Sequence, residues 1–110
     1  MRLEVRHLWS PDFDPTEGGP PDRTDFGVLI QAEVGEVGEV GGEVFGFTVC
    51  SPSRLAQAEP GMFITDTLVL DRFDWEVIRT RLDKLLMHAQ SCNTWDEVIG
   101  RLAGMLRHAG

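Results

Sequence analysis

The segment FGVLIQAEVGEVGEVGGEVFGFTVC, residues 26–50, decides the fold, because two β-rich runs flank a run of glycines. Apolar and polar side chains alternate over 26–34 and again over 43–50, which is the pattern of half-buried strands. The glycines between them supply the positive φ angles that hairpin turns require. Three units of Gly-Glu-Val are too short for a repeat array, so the segment predicts an extended β-hairpin. The residues expected to face the core are Phe26, Val28, Ile30, Ala32, Val34, Phe45, Phe47 and Val49.

Two further strands are predicted on either side of this hairpin. Residues 2–9 also alternate, and residues 62–70 are rich in β-branched side chains and follow a Pro-Gly pair. The side chains expected on the core face of the first strand are Leu3, Val5, His7 and Trp9. Before the fourth strand, Ser51 or Ser53 is expected to cap a helical turn with Leu55 and Ala58 toward the core.

The last forty residues change from a strand period to a helical period. Asp71 or Asp74 is placed to cap the first helix, and Thr94 and Glu97 have the spacing of a capping box. In that motif Thr94 accepts from the Glu97 amide and Glu97 reaches back to the Thr94 amide. The apolar positions are Trp75, Ile78, Leu82, Leu85, Leu86 and Ala89, then Trp95, Val98, Ile99, Leu102, Leu106 and Ala109.

These elements predict a single domain over residues 1–110 of the α+β class. We expect an antiparallel sheet of about four strands, arranged as a β-meander, followed by two C-terminal helices packed on one face. Oligomeric state cannot be deduced from the pattern. Proline, glycine and acidic side chains fill residues 10–25, which predicts a long exposed loop after the first strand.

The chain is acidic, and the excess lies in its first part. The net charge is −8, with 12 acidic and four basic residues over 1–70 and six of each over 71–110. Such a field disfavours nucleic acid and membrane partners and attracts basic protein surfaces, although acidity can also serve solubility alone. Neither a transmembrane run nor a signal peptide is predicted. Reduced thiols are favoured for Cys50 and Cys92, with a disulfide between them left open.

No group of residues predicts catalysis, a metal or a cofactor. His88 and Cys92 have helical metal-ligand spacing without a second pair, and the acidic run 12–17 lacks a complete calcium-loop pattern. His7, Ser10 and Asp12 hold triad residue types without a nucleophile motif, so His7 is interpreted as a core histidine. Cys50 has no cationic neighbour and is interpreted as buried and inert.

The two helices each carry a tryptophan in the first turn. Trp75 and Trp95 are interpreted as anchors of their helices to the core. The alternative is that they are energetically dominant contacts of a protein interface, where tryptophan is enriched.

Several segments together resemble one known family. SPD at 10–12, FGVLIQAEVG, FGFTVCSPSRLA, DRFDWEVIRTRLDKLL and SCNTWDEVIGRL occur in order over nearly the whole chain. They are similar to the immunity protein 8 family of bacterial polymorphic-toxin and contact-dependent inhibition systems. The most specific pieces are FTVCSP-x-x-LA and CNTWDEV-x-x-x-L. Members often continue in a short aromatic and acidic tail where this chain has RHAG, and the hairpin here is richer in glycine.

The resemblance implies a small cytoplasmic protein, without catalytic activity, that binds a cognate toxin domain and protects the producing cell. It does not specify the toxin's activity; toxin nucleases are often basic, which would suit an acidic binder. The acids of the two loops are expected to contact the partner: Asp12, Asp14, Glu17, Asp22, Glu36, Glu39 and Glu43. Two alternatives stay open, a protein-binding adaptor unrelated to toxins and a small enzyme using His7 or a carboxylate pair.

Overall fold

A computed structural model describes residues 1–57 and 60–109. Over these residues the chain forms a five-stranded sheet. Four strands lie side by side in the order β1-β2-β3-β4, and β5 also pairs with β3. The elements are β1 Leu3–Trp9, β2 Gly27–Glu36, β3 Glu43–Cys50, α1 Pro52–Leu55, β4 Thr67–Val69, α2 Trp75–Met87, α3 Trp95–Leu102 and β5 Arg107–His108. The predicted α+β class, with an antiparallel sheet followed by helices, is confirmed.

The central hairpin of β2 and β3 is the longest pairing in the sheet. It runs antiparallel from Gly27 opposite Cys50 to Val34 opposite Glu43. All eight side chains predicted to face the core from this hairpin are buried. Gly38 and Gly41 adopt φ angles of 84° and 82°, which side chains other than glycine rarely tolerate. The glycine-rich stretch therefore forms a hairpin turn, as predicted.

Strand β1 contains an irregularity that the alternation of its sequence did not reveal. Val5 lies opposite Val34 and His7 lies opposite Glu33, so Arg6 is an extra residue in the ladder. A bulge of this kind exchanges the two faces of a strand, and Leu8 packs against the core after it. The prediction that His7 and Trp9 face the core is therefore wrong, because His7 is exposed and Trp9 is half-buried outside the core cluster.

The fourth strand is shorter than predicted and runs in the other direction. Only Thr67–Val69 pairs, and it lies parallel to β3. Asp66 has a φ angle of 53°, which interrupts the extended backbone just before the strand. The apolar residues 62–64 that suggested strand are exposed instead. The connection over 51–66 is long enough to bring the chain back beside β3 in parallel.

The helical turn α1 forms where predicted but is not capped as predicted. Ser51 occupies the N-cap position without a side-chain capping bond. Its hydroxyl instead accepts from the Phe26 amide at 3.1 Å. Leu55 is half-buried, and Ala58 lies outside the described residues.

Helices α2 and α3 begin at the predicted caps. Asp74 accepts from the amides of Glu76 and Val77, and Thr94 accepts from the amide of Glu97 at 3.2 Å. The second hydrogen bond of the predicted capping box involves a different amide. Glu97 accepts from the amide of Asn93 at 2.9 Å rather than from that of Thr94.

The predicted length of the last helix is wrong. Helix α3 ends at Leu102, and Gly104 adopts a φ angle of 92° that turns the chain out of the helix. Leu106 is buried as expected, but it lies in the extended segment that leads into β5. His108 then pairs with Phe45 of β3, so the C-terminal segment adds a strand to the sheet.

One hydrophobic core joins the two helices to one face of the sheet. The buried helical side chains are Ile78, Leu82, Leu86, Val98 and Leu102, and they pack in one cluster with the inward residues of β2 and β3. Cys50 and Cys92 are both buried free thiols. This packing leaves the loops at the two ends of the sheet to present the acidic side chains.

Candidate functional site

The sheet separates the seven candidate acids into two groups. The loop cluster (Asp12, Asp14, Glu17 and Asp22) lies where β1 ends and β2 begins. The hairpin cluster (Glu36, Glu39 and Glu43) lies at the other end, where β2 ends and β3 begins. β2 contains ten residues, so at about 3.3 Å per residue roughly 30 Å separates the two ends. The structure therefore brings the acids together within each cluster and not across the two.

The loop cluster is held in place by local hydrogen bonds. The carboxylate of Asp14 accepts from the amide of Thr16 at 2.9 Å and from its hydroxyl at 2.8 Å. Asp22 accepts from Thr24 in the same way, at 2.9 and 3.0 Å. The hydrogen bond from the backbone N–H contributes most to lowering the pKa of each carboxyl, and the hydrogen bond from the threonine hydroxyl contributes next. Both carboxyls are therefore ionised at neutral pH.

Two other acids complete the loop cluster. The carboxylate of Asp12 accepts from the Leu29 amide at 2.6 Å and fastens the loop to the start of β2. Glu17 ends a short 3-10 helix, Pro15–Glu17, and its side chain is exposed. Within the described parts of the chain, none of the four carboxylates has a basic side chain at ion-pair distance. Their charge is therefore available to a partner.

The hairpin cluster surrounds a loop that one arginine fastens. The guanidinium of Arg6 donates to the carbonyls of Glu36 at 2.7 Å and Glu39 at 2.5 Å, and also to that of Gly41. The carboxylate of Glu43 pairs with the His108 ring at 2.8 Å. Glu43 is therefore already engaged inside the protein, whereas the carboxylates of Glu36 and Glu39 form no ion pair with the described residues.

An aromatic pocket lies beside the loop cluster. Its walls come from the end of β1, the loop after it and the start of α2, and it encloses about 230 Å³. The side chains that matter here are His7, Trp9, Phe13, Pro15 and Trp75.

The walls of the aromatic pocket are fixed by contacts on both sides. His7 stacks on Trp9 with ring centroids 5.1 Å apart. The indole N–H of Trp75 donates to the carbonyl of Gly18 at 2.9 Å. Phe13 approaches Trp75 at 6.0 Å between ring centroids. The pocket thus exists before any partner binds.

Sequence reasoning identified Trp75 without identifying this pocket. Phe13 stands between two acids in the motif Asp-Phe-Asp-Pro, and an aromatic residue in an otherwise polar loop was the available signal. The contribution of Trp9 depended on the bulge at Arg6, which the alternation of β1 did not show. The pocket is therefore a product of tertiary structure.

A second cleft is apolar and lies between the sheet and α2. It encloses about 200 Å³, and its lining includes Phe47, Leu68, Leu82 and Met105, with Arg81 as the charged side chain among the lining residues. This lining brings hydrophobic side chains together and does not bring together several titratable groups.

The family model described as immunity protein 8 matches residues 3–108. The chain belongs to the immunity protein 8 family. Membership in this family implies an immunity protein directed against a toxin, with a cognate toxin as partner and a non-catalytic inhibitor role. Comparison with curated proteins and with solved structures found no match.

The candidate triad is not assembled in this immunity protein 8 family member. Ser10 donates its hydroxyl to the Leu29 carbonyl at 2.5 Å, and Asp12 accepts from the Leu29 amide. His7 stacks on Trp9 instead of meeting either group. Burial raises the pKa of the Cys50 thiol, which keeps it in its unreactive form.

The described residues also provide no metal centre or membrane span. No three or more His, Cys, Asp or Glu side chains among them converge on one point. In the same part of the chain, no helix has the length and hydrophobicity needed to cross a bilayer. The geometry that stands out is the loop cluster beside the aromatic pocket.

Proposed function

We propose that this protein binds a cognate toxin domain and neutralises it by covering its active site or an adjacent surface with acidic side chains. The seven acids at positions 12, 14, 17, 22, 36, 39 and 43 are the proposed contacts. The observation that carries the proposal is membership in the immunity protein 8 family over residues 3–108. A basic toxin domain, such as a nuclease, is the partner class that fits the charge.

The state of the acidic side chains supports this choice of surface. Asp14 and Asp22 are ionised, exposed and held in fixed orientations by their threonine partners. Glu17 adds an exposed carboxylate between them in the sequence. Unpaired acids in a fixed arrangement attract a basic partner at long range and raise the rate of association.

The distance between the two clusters makes their contributions separable. A standard protein interface covers about 800 Å² on each partner, which corresponds to a patch roughly 30 Å across. One cluster can lie at the centre of such a patch only if the other lies at its margin or beyond it. Variants of each cluster will therefore show which end of the sheet the toxin covers.

The first experiment is capture of the partner. The tagged protein is produced together with the product of the reading frame immediately upstream, and complexes are identified by mass spectrometry. We expect a one-to-one complex with the C-terminal domain of that product, and restored growth of cells that produce this domain. If neither capture nor rescue is seen, the proposal fails and an adaptor function unrelated to toxins takes its place.

The second experiment assigns the surface by neutralising charge without removing the local hydrogen bonds. The loop variant combines Asp14→Asn, Glu17→Gln and Asp22→Asn, because asparagine keeps the oxygen that accepts from each threonine. We expect the association rate at low salt to fall roughly tenfold and its salt dependence to weaken. Stopped-flow fluorescence measures both quantities.

A matched control changes the same amount of charge elsewhere. Glu33→Gln, Asp83→Asn and Asp96→Asn neutralise three acids on β2, α2 and α3 that belong to neither cluster and do not line the aromatic pocket. A hairpin variant, Glu36→Gln with Glu39→Gln, tests the other end of the sheet. If the control slows association as much as the loop variant does, net charge alone explains the effect. A larger loss in the hairpin variant would move the proposed surface to the opposite end.

A further inference from the structure

We infer that the aromatic pocket is the subsite for one basic side chain, arginine or lysine, of the protein partner. The inference deepens the proposed function and rests on it for the identity of that partner. The pocket lies at the end of the sheet that carries the loop cluster, and Phe13 in its wall stands between Asp12 and Asp14 in the chain. Aromatic faces next to carboxylates are the surroundings that a cation prefers in proteins.

The chemistry of the pocket wall favours a cation over an apolar side chain. Two indole rings, Trp9 and Trp75, contribute to it, and tryptophan binds cations more strongly through its face than other aromatic side chains do. None of the residues that line the pocket is lysine or arginine. Asp14 stands in the chain between the lining residues Phe13 and Pro15, and its hydrogen bonds from Thr16 lower the pKa of its carboxyl, so the loop that forms this wall carries a negative charge.

The pocket is also arranged before binding, which reduces the entropy lost when a ligand enters. The indole of Trp75 is held by its hydrogen bond to Gly18 and by an edge contact to Phe73 at 5.2 Å between ring centroids. Phe73 is itself buried against Phe26, so the aromatic contacts run without interruption from the core to the pocket. Fixed rings of this kind increase affinity by lowering the cost of ordering.

The aromatic pocket is accessible to a partner because its aromatic side chains are partly exposed. Trp9, Phe13 and Trp75 are each half-buried and each lines the pocket, so part of each side chain remains accessible. Partly exposed tryptophan is typical of the energetically dominant contacts of protein interfaces. An extended arginine or lysine side chain can therefore enter the pocket and contact these side chains.

The pocket can be tested with a small probe on the free protein. N-acetyl-arginine amide is titrated into labelled protein, and N-acetyl-citrulline amide serves as its neutral counterpart of nearly the same shape. We expect the indole N–H signals of Trp9 and Trp75 to shift with the arginine compound, saturating in the millimolar range. Trp95 lies on another helix, α3, and its indole N–H signal should not shift. Equal shifts with the citrulline compound, or no shift with either, would overturn the inference.

The same pocket is tested in the complex with the captured toxin domain. Trp9→Leu keeps an apolar side chain but removes the ring, and we expect affinity to fall about tenfold. Trp9→Phe should give an intermediate loss, and Met87→Ala, at the exposed end of α2 opposite to Trp75, should have no effect. Circular dichroism and the indole spectrum establish that each variant is folded.

The two proposals fail in different ways. If the toxin domain is captured but Trp9→Leu binds it as tightly as the parent protein does, the subsite inference is wrong and the immunity function stands. If no toxin domain is captured, the immunity function fails, and the comparison of arginine with citrulline still decides whether the pocket prefers a cation.

Discussion

The guanidinium of Arg6 lies directly over Gly35, so closely that a β-carbon at position 35 would be 2.2 Å from the arginine Cζ. Gly35 thus makes room for the arginine rather than forming a turn, because its backbone is part of β2. The absence of a side chain there allows Arg6 to reach the carbonyls of the hairpin loop. The bulge in β1 supplies the arginine, and the glycine supplies the space for it.

We predict that Gly35→Ala and Arg6→Ala destabilise the protein to a similar extent, by about 1–2 kcal/mol each. Both substitutions remove the same hydrogen bonds, since an alanine at position 35 displaces the guanidinium. The double variant should therefore cost little more than either single variant. Urea denaturation of the four proteins measures the coupling. Additive effects would show that Arg6 does not act through Gly35.

Ser51 is expected to be the hydroxyl whose loss costs most. Its side chain is fully buried and accepts from the amide of Phe26, where the long loop enters β2. Ser51→Ala leaves that buried amide without a partner, which costs about 2 kcal/mol. Ser91→Ala is the matched control, because Ser91 is an exposed serine in a turn far along the chain from Ser51. Equal midpoints of urea denaturation for the two variants would contradict this assignment.

Gln90 is expected to protect the outer edge of β1. Its side-chain oxygen accepts from the Leu3 amide at 2.8 Å, and its side-chain nitrogen donates to the Leu3 carbonyl at 3.4 Å. One amide side chain thus substitutes for a neighbouring strand at this residue. Gln90→Ala should increase the hydrogen-exchange rate of the Leu3 amide at least about tenfold.

Gln90→Glu separates the two bonds that Gln90 makes. Glutamate keeps an oxygen for the Leu3 amide but loses the donor to the carbonyl, so the amide should remain protected. If both variants exchange equally fast at Leu3, protection does not depend on the acceptor. If neither exchanges faster than the parent protein, the edge is protected by something other than Gln90.

The buried thiol of Cys50 should make stability depend on pH in the alkaline range. Burial raises the pKa of this thiol, so the unfolded chain loses its proton before the folded chain does. The free energy of unfolding should therefore fall as pH rises past the ordinary thiol pKa of about 8.5. Below that pH both states are protonated and the effect is absent.

Comparison with Cys50→Ala isolates this contribution. Urea midpoints measured between pH 7 and pH 9.5 should converge for the two proteins as pH rises, since the variant has no thiol to ionise at position 50. In the native protein at pH 8, Cys50 should also react with a thiol reagent roughly a hundredfold more slowly than free cysteine. Rapid reaction without unfolding would contradict burial as the cause.

The sequence was sufficient to predict an element wherever its local pattern and its tertiary packing favour the same conformation. The core face of the central hairpin followed from alternation, and the starts of α2 and α3 followed from Asp74 and Thr94. These features depend on neighbours two to four residues away. The acidity of the first 70 residues likewise follows from composition.

Tertiary structure decided the features in which distant residues replace the local pattern. The bulge at Arg6 moved His7 out of the core because the loop of the next hairpin provides the partners for that arginine. The positive φ of Asp66 shortened the fourth strand, and Gly104 redirected the last helix into a strand on β3. Neither outcome leaves a periodic signal, because one residue changes the direction of the chain.

The candidate site shows the same division. Which side chains are acidic was evident from the sequence, but their separation into two clusters depends on β2 spanning the sheet. The aromatic pocket requires Trp9, Phe13 and Trp75 from three different elements. The sequence by itself determined the charge, the hairpin and the caps. Only the tertiary structure decided which of these residues meet, because contacts between separate elements depend on packing rather than on spacing along the chain.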